Sequence, residues 1–119
     1  MEAPLNPVTL EQEMIDSLNS ISKSIKPVSA AYDAWKTAEL AYKREFALAF
    51  REAEGSVKDR EQAAVLESEA AADEMKDAEV VYKRLLDFQR AYRDRLSAVQ
   101  TLSKSIVAAY GAAGVGEGR

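Results

Sequence analysis

The side chains of this chain best equipped for chemistry are carboxylates and cations, and the sequence sorts them by sign. From Arg51 to Glu79 there are ten acidic and four basic residues; from Lys83 to Lys104 there are six basic and two acidic. In the acidic stretch, Glu67, Glu69, Asp73, Glu74 and Asp77 crowd together. Carboxylates at helical spacing are the ligands a hard cation such as Mg²⁺ would use. In the basic stretch, Lys83, Arg84, Arg90, Arg93, Arg95 and Lys104 alternate with Tyr82, Phe88 and Tyr92. Cations along a backbone and aromatics under bases are how single-stranded nucleic acid is held. Such binding is mostly electrostatic and salt-sensitive.

Other chemistries find no residues. Histidine and cysteine are both absent, so the commonest general base and the thiolate ligands of metal sites are missing. Ser103, Lys104 and Ser105 are adjacent, and adjacent helical side chains diverge by about 100°. The glycines Gly111, Gly114, Gly116 and Gly118 follow a helix and precede nothing, which is not the setting of a phosphate-binding loop. The composition argues against an enzyme and implies no cofactor.

These residues must be positioned by helices. Apolar residues recur at three and four along both halves: Met14, Leu18, Ile21, Ile25, Val28, Tyr32, Trp35, Tyr42, Phe46, Ala49 and Ala53, then Ala64, Ala71, Ala78, Val81, Leu85, Phe88, Tyr92, Leu96, Val99, Leu102 and Ile106. A repeat near 3.5 residues draws one stripe on a helix and supercoils it against a partner. Gly55 can end a helix in a left-handed conformation, and Ser56 with Asp59 has capping-box spacing. The expected fold is all-α: a long antiparallel helical hairpin. Residues 1–8 form a flexible arm, a helix covers 9–54 with Thr9 as N-cap, and Pro27 kinks or breaks it near 25–28. The turn is 55–56, a second helix covers 57–110, and 111–119 is a disordered glycine-rich tail.

A turn centred near Gly55 sets Trp35 opposite Met75, Tyr32 opposite Ala78 and Leu18 opposite Tyr92. Large groups then meet small ones near the turn, which fills space without strain. Phe88 and Tyr92 lie on the expected core stripe, so burial competes with base stacking. Leu40, Leu48, Leu66, Val80 and Leu86 fall off the stripe and are the candidates for self-association into a dimer or a helical bundle.

The net charge is −4 at 119 residues, enough for one domain. The longest uncharged run, Ser105 to Gly116, is shorter than the roughly 20 apolar residues a span needs. Met1–Pro7 lacks the pattern of a signal peptide. No membrane partner and a cytoplasmic location are expected.

Two strings, Glu13 to Asp16 and Glu74 to Asp77, resemble the Glu-x-x-Asp motifs of all-α nucleotide pyrophosphohydrolases. The hairpin register sets them far apart, so a solvated acidic face near a helix N-terminus is the simpler reading. The runs Ala41–Ala47, Glu54–Glu61 and Asp94–Ser105 resemble small two-helix bacteriophage early proteins, in a Gly-Ser turn followed by Arg60-Glu61 and a final Leu96-Ser97-Ala98-Val99-Gln100 segment. That resemblance covers roughly residues 30 to 107. It implies a phage or prophage origin, near recombination and replication functions, and a host-cell cytoplasmic location. The helical hairpins of type VII secretion also match in size. They carry Trp-x-Gly at the turn, whereas Trp35 here is mid-helix.

The leading expectation is a non-enzymatic binding protein that uses the Lys83–Lys104 face on single-stranded DNA or a DNA-metabolism protein. A phage protein that inhibits or redirects a host protein such as a defence factor, through the acidic face, is the alternative. A structural coiled coil of the virion is a further one.

Overall fold

A computed structural model describes residues 6–117, with side chains to residue 111. The fold is an all-α helical hairpin. Helix α1 is Pro7–Glu52, α2 is Val57–Glu67 and α3 is Glu69–Glu117. The chain packs as two units, Lys26–Leu86 and the pairing of Met1–Ile25 with Asp87–Arg119. In each, an outgoing helix lies against a returning one.

The cap of helix α1 lies three residues before the expected Thr9. The Thr9 N–H donates to Asn6 Oδ1 (2.9 Å) and the Leu10 N–H to the Asn6 carbonyl (3.0 Å). Asn6 is therefore the cap, and Pro7 occupies the first helical position, where its fixed φ suits the helix. Gln12 Nε2, a turn further on, donates to Asp16 Oδ1 at 2.9 Å. Residues 1–5 of the expected arm lie outside the described residues. Pro27 sits inside α1 without ending it.

The turn forms as its residue types dictate. Gly55 has φ +109°. The Asp59 N–H donates to Ser56 Oγ (3.1 Å) and the Ser56 N–H to Asp59 Oδ2 (3.2 Å). This reciprocal pair covers two otherwise unpaired donors at the start of α2. Across the turn, Arg60 Nε donates to the Phe50 carbonyl (3.1 Å), one of the last acceptors of α1, and its guanidinium lies 4.4 Å from the Phe50 ring centre. Gly55→Ala is expected to destabilise the protein by about 2 kcal/mol: a positive φ costs an L-residue about 1–2 kcal/mol, and losing a cap costs about 1. The new Cβ would stand 2.9 Å from Asp59 Oδ2 and displace the capping carboxylate. Urea unfolding measures the loss.

The second arm is two helices rather than the single expected one. Ser68, fully covered, separates them with φ −96° and ψ 6°. Its hydroxyl donates to the Ala64 carbonyl at 2.7 Å, in competition with its own N–H at 3.0 Å. This back-bonding is a known cause of local helix irregularity. Helix α3 then runs to Glu117, past the expected end at Tyr110, through a segment whose alanines favour helix. Only the last residues of the expected tail, 118 and 119, lie outside the described residues.

One row of covered and half-covered positions alternates by four and three. On α1 it is Leu10, Met14, Ser17, Ile21, Ser24, Val28, Ala31, Trp35, Ala38 and Tyr42, after which Phe46 and Ala49 follow at steps of four and three. On α2 and α3 it is Ala64, Ser68, Ala71, Met75, Ala78, Tyr82, Leu85, Gln89, Tyr92, Leu96, Val99, Ser103 and Ile106. This corrects the expected stripe at six places. Ser17, Ser24 and Ala31 are covered where Leu18, Ile25 and Tyr32 were expected; Tyr82, Gln89 and Ser103 take the places of Val81, Phe88 and Leu102. Small residues at these positions let the helices approach closely, and two of the polar ones pair with each other. Gln89 Nε2 donates to Ser24 Oγ at 3.0 Å, and that hydroxyl donates to the Ile21 carbonyl at 2.6 Å.

In the Lys26–Leu86 unit the core is aromatic. Trp35 stacks on Tyr82 with centroids 5.4 Å apart at 23°, and Tyr32 meets both rings edge-on at 5.4–6.1 Å. The ring partner of Trp35 therefore lies two turns beyond the expected Met75. Side chains lean toward the N-terminus of their own helix. On antiparallel helices Trp35 leans away from the turn and Tyr82 toward it, so the two converge.

Candidate functional site

The six basic residues of the candidate interface all lie on α3 and are all exposed, but the helix does not gather them on one face. Lys83, Arg90, Arg93 and Lys104 follow at steps of seven, three and eleven on one side of the covered seam. Arg84 and Arg95 lie on the other, with Phe88 and Ala91 between them at steps of four, three and four. At 100° per residue the two rows are roughly 150° apart around the helix.

The rows differ in how their charges are already used. Lys83 pairs with Glu79 (3.3 Å) and Arg90 with Asp87 (4.0 Å). Arg95 pairs with Glu13 of α1. Arg84, Arg93 and Lys104 have no ion-pair partner among the described residues. Exposed pairs of this kind contribute little to stability and leave the cations able to exchange partners.

Phe88 overturns an expectation. It is 64% exposed, because Gln89 takes the covered position beside it. An aromatic face is therefore open to solvent one helical turn from Arg84. Tyr92 is half-buried, as the expected stripe has it, and Tyr82 belongs to the Trp35 cluster. Exact heptad spacing from Ala64 is the sequence signal that separates Phe88 from the core.

The acidic candidates Glu67, Glu69, Asp73, Glu74 and Asp77 are all exposed and take part in no ion pair among the described residues. No group of three or more such ligands is close enough to hold a metal ion among the described residues. Glu67 also lines a groove of about 540 Å³ with Glu45, Leu48, Ala49, Glu52, Ala53 and Ala63. Of the expected self-association residues, Leu40, Leu48, Leu66 and Val80 are exposed and Leu86 is half-buried. No helix is long and apolar enough to cross a membrane among the described residues.

The class these features define is a helical hairpin with charged outer faces. Comparison with protein-family models, curated proteins and solved structures finds no match to this chain.

Proposed function

We propose that the chain is a non-enzymatic binding protein whose α3 contacts single-stranded nucleic acid. The observation that carries this reading is the exposed Phe88 ring, one turn from Arg84, a cation with no ion-pair partner among the described residues. Base stacking on an aromatic side chain contributes about 1–3 kcal/mol per base and tolerates any sequence. The opposite row, Lys83 to Lys104, supplies phosphate contacts over roughly 30 Å of helix. The resemblance to phage early proteins near recombination and replication functions supports the same reading.

Fluorescence anisotropy with a labelled single-stranded oligonucleotide tests it. Phe88→Ala is expected to weaken binding about tenfold at fixed salt, in line with one lost stack. Arg93→Ala with Lys104→Ala is expected to flatten the salt dependence, since each phosphate contact adds to the slope. Absence of binding at low salt would discard the proposal.

A second reading rests on a separate observation: five exposed carboxylates, Glu67 to Asp77, lack ion-pair partners among the described residues. A basic surface of a host protein would be their complement. Stoichiometric recovery of one host protein from lysate, lost when these residues are neutralised, would favour that reading over the first.

A further inference from the structure

Helix α1 carries a second seam. Its first seam, the alternation from Leu10 to Tyr42, is covered by the returning helix. One step around the wheel lie Glu11, Ile15, Leu18, Ser22, Ile25, Ser29, Tyr32 and Lys36, again at alternating fours and threes. From Ile15 to Tyr32 this row contains no charge. Ile15 is 44% exposed, Leu18 53%, Ile25 58% and Tyr32 43%. All of these residues lie on α1. An uncharged row at 3.5-residue spacing is what a coiled-coil partner requires.

We infer that this row is the interface for a second copy of the chain, with the two α1 helices antiparallel about a two-fold axis between residues 23 and 24. The row is self-complementary in that arrangement. Ile15 of one copy faces Tyr32 of the other, Leu18 faces Ser29 and Ser22 faces Ile25. Two of these three layers set a large side chain against a small one, the arrangement that lets facing side chains interdigitate. At both ends Glu11 faces the partner's Lys36, so each dimer gains two opposite-charge contacts. Glu11 is exposed with no ion-pair partner among the described residues. Lys36 is half-buried, its Nζ 3.7 Å from Glu39 and 4.2 Å from the Trp35 ring centre.

Charge also selects the register. A slide of one heptad in one direction buries Glu11 inside the seam opposite Ser29. The opposite slide sets Ile15 against Glu39 and Leu18 against Lys36. The first buries a charge with no partner across the seam, and the second buries the Lys36–Glu39 pair against apolar side chains; both are costly. A parallel pairing sets Glu11 against Glu11 and Lys36 against Lys36, and like charges at an interface discriminate against a partner. Of these registers, the antiparallel one centred between residues 23 and 24 keeps Glu11 and Lys36 opposite each other at the ends and leaves no charge between them in the seam.

The experiment uses the full chain, which has no cysteine. Sedimentation equilibrium is expected to find a dimer. Glu11→Lys and Lys36→Glu are each expected to raise its dissociation constant about tenfold, because each creates two like-charge contacts per dimer. The double variant E11K/K36E is expected to return near the parent value. That rescue separates an interface role from any effect of Lys36 on Trp35. In a mixture of Leu18→Cys and Ser29→Cys chains, oxidation is expected to link position 18 of one chain to position 29 of the other. Circular dichroism checks that each variant remains helical. A monomer at all accessible concentrations overturns the inference. So does a dimer indifferent to E11K and K36E, or one in which Ser29→Cys chains link to each other.

Discussion

Trp35→Ala is expected to cost about 3 kcal/mol of stability, the lower end of the range for removing a large aromatic from a core, because the residue is half-buried. The ring makes the stacked contact with Tyr82 and the edge contact with Tyr32, and the Lys36 ammonium lies 4.2 Å from its centre. Aromatic pairs add about 0.5–1.5 kcal/mol beyond their buried area, so three mutually touching rings concentrate stability in one layer. The remaining covered positions of α1 in this unit include the small side chains Ala31 and Ala38, which cannot take over.

One detail makes the test sharper. Trp35 Nε1 is buried without a hydrogen-bond partner, and an unsatisfied buried donor costs about 1–3 kcal/mol. Trp35→Phe keeps a ring in the stack and removes that donor, so it is expected to stay within about 1 kcal/mol of the parent. Chemical unfolding followed by far-ultraviolet circular dichroism measures both variants; fluorescence cannot, because Trp35 is the sole tryptophan. A loss below 1 kcal/mol for Trp35→Ala would show that the aromatic layer is not a stability centre. An equal loss for Trp35→Phe would show that the indole nitrogen matters more than the ring.

The same layer shows how far the sequence alone could lead. The hairpin was legible because Gly55, Ser56 and Asp59 have one good use together, a positive φ followed by a reciprocal cap. The period was legible too, since 3.5-residue spacing persists on both arms. The phase was not. On α1, Met14, Ile21, Val28 and Trp35 belong to either of two strips: one completed by Leu18, Ile25 and Tyr32, the other by Ser17, Ser24 and Ala31. Hydrophobicity favours the first, but the hairpin uses the second, with the smaller residues. Hydrophobicity identifies which residues leave water without saying against what. On a helix with two apolar strips, the more apolar one can belong to a different contact.

That ambiguity reached the candidate site as well. The basic residues were legible as a cluster in sequence, because charge needs no register. Their division into two rows, and the exposure of Phe88, depend on a shift of one position in the covered strip. Gln89 is a poor core residue by type. It is covered because its amide reaches Ser24, and buried polar side chains hold such places when hydrogen-bonded. A polar pair across the hairpin leaves no mark in either arm read alone.

Pro27→Ala is expected to raise stability by about 2 kcal/mol. Proline in a helix interior is about 3 kcal/mol less favourable than alanine, and proline's restraint of the unfolded chain gives back about 0.4–1 of that. The loss is local: Pro27 has no N–H to give to the Lys23 carbonyl, and its ring crowds that same oxygen. Lys23, Lys26 and Pro27 are all exposed, so water can reach the freed carbonyl, which explains why α1 continues instead of ending. The prolyl ring covers no core position, so alanine removes no packing. A higher urea midpoint with an unchanged slope would confirm the gain, accompanied by slower hydrogen exchange over residues 24–31. No gain would mean that the proline is useful where it stands. The group it would then serve is Ser24, whose hydroxyl links the Ile21 carbonyl to the Gln89 amide. Combining Pro27→Ala with Ser24→Ala decides between the two. Additive effects leave the proline as a pure cost, whereas a gain that appears only after Ser24 is removed ties the proline to the polar layer.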